Sequence, residues 1–120
     1  MNGARPIVYY LARDLFFGVR LAEGLNRLEV DARPARAMPE LSLEGGALLL
    51  VDLSSPPAQW QPLIEGAHSR GVPVLAFGSH MDQPRWQLAR AAGAAHIVAN
   101  SYLLEHFSDL VGRLLRQPAS

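Results

Sequence analysis

The chain has 120 residues, of which 49% are hydrophobic and 18% charged, with 11 basic and 11 acidic side chains and no cysteine. That length fits one domain spanning residues 1–120 with a core over about 6–115, and the apolar share excludes an intrinsically disordered chain. Balanced charge without a basic run leaves no footprint for nucleic acid or anionic lipid, and the lack of cysteine excludes disulfides, thiolate zinc sites and cysteine nucleophiles.

No signal core follows Met1 to Pro6, and no apolar run reaches the roughly 20 residues of a membrane span, so a cytoplasmic protein is expected. The first apolar run, Ile7-Val8-Tyr9-Tyr10-Leu11, is continuous and predicts a strand covered on both faces. From Asp14 to Leu28 the spacing predicts a helix whose apolar stripe is Leu15, Val19, Ala22 and Leu25. Glu29 to Ala32 is read as a short edge strand. The segment from Arg33 to Gly46, with two prolines and a glycine pair, allows only a short helix or an irregular loop.

A third strand follows at Ala47-Leu48-Leu49-Leu50-Val51, then a helix over Pro57–Arg70 with Trp60, Leu63, Ile64 and Ala67 as its stripe. Ser55 is the expected cap, the prolines suit its first turn and Gly71 its end. The fourth strand is expected over Val72–Phe77, and a helix capped by Asp82 over Pro84–Ala92 ends at Gly93. The fifth strand is His96–Ala99. One final helix follows from Asn100 or Ser101, carrying Leu103, Leu104, Phe107, Leu110, Val111, Leu114 and Leu115. Alternating strands and helices demand right-handed crossovers, hence an α/β fold with a doubly wound, five-stranded parallel sheet in three layers. The second helix is short or missing.

In such a sheet ligands bind beyond the carboxyl ends of the strands. The residues to weigh are therefore Ala12, Arg13 and Asp14, then Asp52 to Ser55, then Gly78 to Asp82, then Asn100 and Ser101.

Leu48-Leu49-Leu50-Val51-Asp52 with Pro56, Gly71-Val72-Pro73-Val74-Leu75, and Ala92-Gly93-Ala94-Ala95 before the last strand occur here in a distinctive order. Together they make the chain, from Pro6 to Leu115, resemble the receiver domain of bacterial response regulators, a flavodoxin-like fold. The resemblance implies that Asp52 stands where the family's phosphoacceptor carboxylate stands. It also implies losses: Ala12 and Arg13 replace the acidic pair that holds magnesium, with Asp14 one step beyond. Gly78 replaces the hydroxyl residue, with Ser79 next to it, Asn100 replaces the lysine, and Ile97 the switch aromatic. All eleven basic residues are arginine, so no lysine elsewhere can substitute.

Phosphoryl transfer rests on positioning and on cations that neutralise charge on oxygen. With those cations gone, the resemblance implies a degenerate pseudo-receiver with no cofactor. The charge and position of Arg13 add the hypothesis that it pairs directly with Asp52, mimics an occupied site and holds one conformation. The family's pairing face implies a protein interface, with another protein or a second copy, near Trp86, Tyr102, His106 and Asp109.

Other constellations are weaker. His68, His80, His96 and His106 are scattered without metal-ligand spacing, no Gly-x-Ser-x-Gly elbow surrounds Ser54 or Ser55, and Gly45-Gly46 precedes a strand. The expectation is thus a non-enzymatic, phosphorylation-independent interaction module. Two alternatives stay open: a working acceptor using Asp52 with Asp14 and weakly held magnesium, and a small-molecule-binding or enzymatic domain with a cleft around Asp14, Asp52, Ser79, His80 and Asn100.

Overall fold

The computed structural model describes residues 5–35 and 46–116. Its strands are β1 Ile7–Leu11, β2 Asp31–Pro34, β3 Gly46–Asp52, β4 Val74–Gly78 and β5 His96–Ala99. They pair in parallel in the order β2-β1-β3-β4-β5. The helices are α1 Leu15–Asn26, α2 Pro57–Ser69, α3 Gln83–Ala92, α4 Asn100–Glu105 and α5 Phe107–Arg116. The shortened second helix expected between Arg33 and Gly46 falls largely on residues 36–45, which lie outside the described residues.

The continuous apolar runs are explained by cover on both faces. Side chains alternate along a strand, so Leu49 and Val51 meet Trp60, Ile64 and Ala67 of α2 and Ala89 of α3. Leu48 and Leu50 meet Phe17, Leu21 and Leu25 of α1, Leu103 of α4 and Val111 of α5. The four β3 residues Leu48 to Val51 are fully buried. This is the three-layer, doubly wound arrangement expected from the alternation of elements. No described helix is long and apolar enough to cross a membrane.

Several local expectations are corrected. The apolar stripe of α1 is not Leu15, Val19, Ala22 and Leu25: Phe17, Leu21 and Leu25 face the sheet, while Leu15 is 85% exposed, Phe16 71% and Val19 48%. Residues two apart point about 200° apart around a helix, so the sequence offers two rival stripes on opposite sides. The structure takes the one that brings the Phe17 ring within 5.7 Å of the Phe77 ring. The edge strand lies two residues later than expected, because Glu29, at φ +60°, is still in the turn that leads out of α1. Ser55 does not cap α2, whose N-cap is Pro56. The Ser55 carbonyl instead accepts from the buried Trp60 indole at 2.9 Å.

The expected single last helix is two. His106 (φ −121°, ψ 26°) separates α4 from α5. Leu103 of α4 and Leu110, Val111 and Leu114 of α5 turn inward, whereas Leu104 is 47% exposed, so the apolar width is only partly core. The break also lets Phe107 lie across α1, so closely that a Cβ on Gly24 would stand 2.8 Å from the ring. A second tight contact joins α2 to the end of α3, where a Cβ on Gly93 would come within 2.7 Å of His68. Gly93 also has φ +120°, a conformation that favours glycine. The remaining caps agree with the sequence: Asp82 Oδ1 accepts from Arg85 N at 3.2 Å, and Gly71, at φ +76°, follows α2.

Candidate functional site

β3 delivers Asp52 to the carboxyl edge of the sheet with its side chain fully buried. A buried carboxylate is tolerable only when its oxygens are satisfied, and here both are. Oδ1 accepts from Ser54 N at 3.0 Å and from Ser54 Oγ at 2.6 Å. Oδ2 accepts from Arg13 N at 3.1 Å and from Arg13 Nη1 at 3.2 Å. The direct Arg13–Asp52 pair expected from the sequence is therefore present. The Arg13 guanidinium is further fixed over the Phe17 ring, 4.3 Å from its centroid, with Nε 3.7 Å from Asp14 Oδ2.

The other positions are arranged around this pair. Asp14 caps α1, its Oδ1 accepting from Phe17 N at 2.8 Å. Gly78 is buried against Leu53, and a Cβ there would meet the Leu53 Cβ at 3.2 Å, so the room for a hydroxyl residue is itself partly filled. Ser79 Oγ accepts from Met81 N at 3.2 Å in an exposed turn. Asn100 opens α4 with its Oδ1 buried, and no described residue donates to it.

Magnesium, which the resemblance implies, finds no matching donor set among the described residues. Hard cations need carboxylate oxygens facing the ion, whereas Asp52 is enclosed by Arg13 and Ser54 and the charge next to it is a guanidinium. Among the described residues no group of three or more His, Cys, Asp or Glu could hold a metal.

The candidate interface residues divide between the two faces of the sheet. Trp86 on α3 is half-buried against the core, and its indole nitrogen is buried. On the other face, the Tyr102 and His106 rings lie 4.4 Å apart, and His106 and Asp109 line a groove of about 350 Å³ between α1 and the α4–α5 break. His80, proposed for a cleft, is exposed, and its carbonyl accepts from Gln83.

Two contributors escape the sequence reading. Ser54, weighed only as a nucleophile, supplies two bonds to Asp52; an Asp followed two residues later by a serine is the spacing of an Asx turn, which would have found it. Phe17, as a platform for Arg13, carries no local signal, because the contact depends on which stripe of α1 turns inward.

No protein-family model and no curated protein match the sequence. Solved structures do match its shape. The non-phosphorylated HemR receiver domain from Leptospira biflexa superposes with a TM-score of 0.76 at 20% identity, over 97% of this chain and 98% of that one. A two-component response regulator from Clostridium difficile gives 0.73 at 13% identity, over 97% and 100%. The beryllofluoride-activated NtrC4 receiver domain dimer gives 0.69 at 14%, over 91% and 95%. The chain has the fold of response-regulator receiver domains.

Proposed function

We propose that the chain is a pseudo-receiver: a non-enzymatic, cytoplasmic module that acts by binding a protein, a second copy of itself included, without being switched by phosphorylation. The observation that carries this reading is the closure of Asp52 by Arg13 and Ser54. An acceptor carboxylate must present a free oxygen in line with the incoming phosphorus and needs cations around the transferred group. Here the Arg13 guanidinium spends its charge on the acceptor itself, and the chain has no lysine to serve the phosphoryl oxygens. The pair thus stands where an occupied site would stand, and it favours one conformation.

Partner binding is supported by the apolar side chains that α1 leaves outside. Leu15, Phe16 and Val19 are consecutive or one turn apart and all exposed, which is the kind of grouping that marks a protein contact. The dimeric state of the NtrC4 receiver domain is a precedent on this fold for self-association.

The test is an amide NMR spectrum titrated first with magnesium and then with beryllofluoride, a phosphoryl mimic. The expected result is no saturable change at Arg13, Asp52, Ser54 or Gly78. Shifts centred on Asp52 that spread along β5 would show a live acceptor and reject the reading.

A further inference from the structure

The outer face of α1 carries charge as well as apolar side chains. Leu15, Phe16 and Val19 are 85%, 71% and 48% exposed. An aromatic side chain carries about 150–250 Å² of surface, so Phe16 alone leaves on the order of 100 Å² of apolar area outside. Leu15, Val19 and Ala22 also form one wall of an open groove of about 720 Å³ between α1 and the β2 edge. Along the same face run Arg20, Glu23 and Arg27, all exposed. Their spacings of three and four would let them pair along the helix. Yet no ion pair joins them to one another or to any other described residue. The face thus presents a plus-minus-plus row beside an apolar stripe, and the chain itself uses neither.

We propose that this face binds a second copy of the chain, the two α1 helices lying antiparallel about a two-fold axis. The proposal names the partner of the interaction module and rests on that reading. What selects a second copy is that the row of charges is complementary to itself. In an antiparallel pair centred between Leu21 and Ala22, position 20 lies opposite position 23 of the other copy, and symmetry repeats the contact. Arg20 therefore meets Glu23 twice. The same register sets Phe16 against Arg27 of the other copy, where a guanidinium is attracted to the ring face. It also brings Val19 beside Ala22, whose small side chain lets the helices approach. A parallel pair would level Arg20 with Arg20 and Glu23 with Glu23, and like charges oppose association. A formal net charge of zero leaves no long-range repulsion between copies. With one short helix from each side, the contact belongs to the small, transient class of interfaces, below about 1,200 Å² in total. Association is accordingly weak and reversible.

The experiment is sedimentation equilibrium of the full chain over about a hundredfold range of concentration. The 13.1 kDa monomer should move toward twice its mass as concentration rises. Arg20→Glu and Glu23→Arg each set like charges together and should weaken dimerisation at least about ten-fold. Mixed in equal amounts, these two variants regain opposite charges at both contacts and should associate about as well as the parent chain. Phe16→Ser should lose the dimer. Leu88→Ser, at an exposed position of α3 on the other face of the sheet, should keep it. Substitutions at such exposed positions leave the fold intact, which the amide spectrum of each variant checks. The proposal is overturned by a chain that stays monomeric at every concentration, or by a dimer that both charge reversals leave unchanged. It is overturned equally by reversed variants that fail to associate on mixing, or by a dimer lost in Leu88→Ser and kept in Phe16→Ser. A monomer would remove this contact alone, because the beryllofluoride titration decides the pseudo-receiver reading separately.

Discussion

Replacing Arg13 by alanine tests whether the closed carboxylate is a working part of the fold. The substitution removes the Nη1 bond to Asp52 Oδ2 and the contact with the Phe17 ring, but leaves the backbone N–H at position 13 and both Ser54 bonds in place. A hydrogen bond to a charged group contributes about 1.5–3 kcal/mol. The Arg13 side chain is 41% exposed, so water can partly replace it, and solvent screening brings that figure down to about 1–2 kcal/mol. The cation–ring contact adds about 0.5–1 kcal/mol. The total expected loss is therefore about 1.5–3 kcal/mol. Urea unfolding followed by the emission of the fully buried Trp60 should show a lower midpoint with an unchanged slope. The cycle with Asp52→Asn isolates the pair, with a coupling of about 1 kcal/mol or more. A loss under about 0.5 kcal/mol, together with no coupling, would refute the claim that Arg13 holds Asp52.

Three further outcomes follow from the packing and the electrostatics. Phe17→Ala should cost about 3–5 kcal/mol, as a large core truncation does, while Phe16→Ser should stay within about 0.5 kcal/mol; thermal or urea unfolding of the two variants reads this directly, and equal losses would mean that α1 is turned the wrong way. Gly24→Ala pushes a methyl group to 2.8 Å from the Phe107 ring and should destabilise by about 1–3 kcal/mol, with much of the loss recovered when Phe107→Leu makes room. Asp82 is held below its ordinary value of 3.8, first by the side-chain hydrogen bond from Arg85 and then by the Arg85 backbone N–H. Its folded pKa is depressed, so its contribution is present above about pH 4 and fades as the pH falls through the lower folded value. Stability of Asp82→Asn, measured against pH, should therefore fall less steeply below about pH 4 than that of the parent chain.

The layered architecture was readable because β1, β3 and β4 are apolar without alternation, a pattern that only a sheet covered on both faces explains. The Arg13–Asp52 pair was readable too, since both residues follow directly on predicted parallel strands and carry opposite charge. What was not readable depended on rotation or on distant contacts. Leu15-Val19-Ala22 and Phe17-Leu21-Leu25 are equally good helical stripes, and only the Phe77 ring across the core decides between them. The break at His106 has no proline or glycine to announce it; it accompanies the packing of Phe107 on Gly24, 83 residues earlier in the chain.

The contact between Gly93 and His68 gives α3 a fixed end. There is no space for even a methyl group there, so the spacing between the carboxyl end of α3 and α2 is set by a backbone against an imidazole, and any side chain at position 93 would have to push the two helices apart at the amino-terminal edge of the sheet.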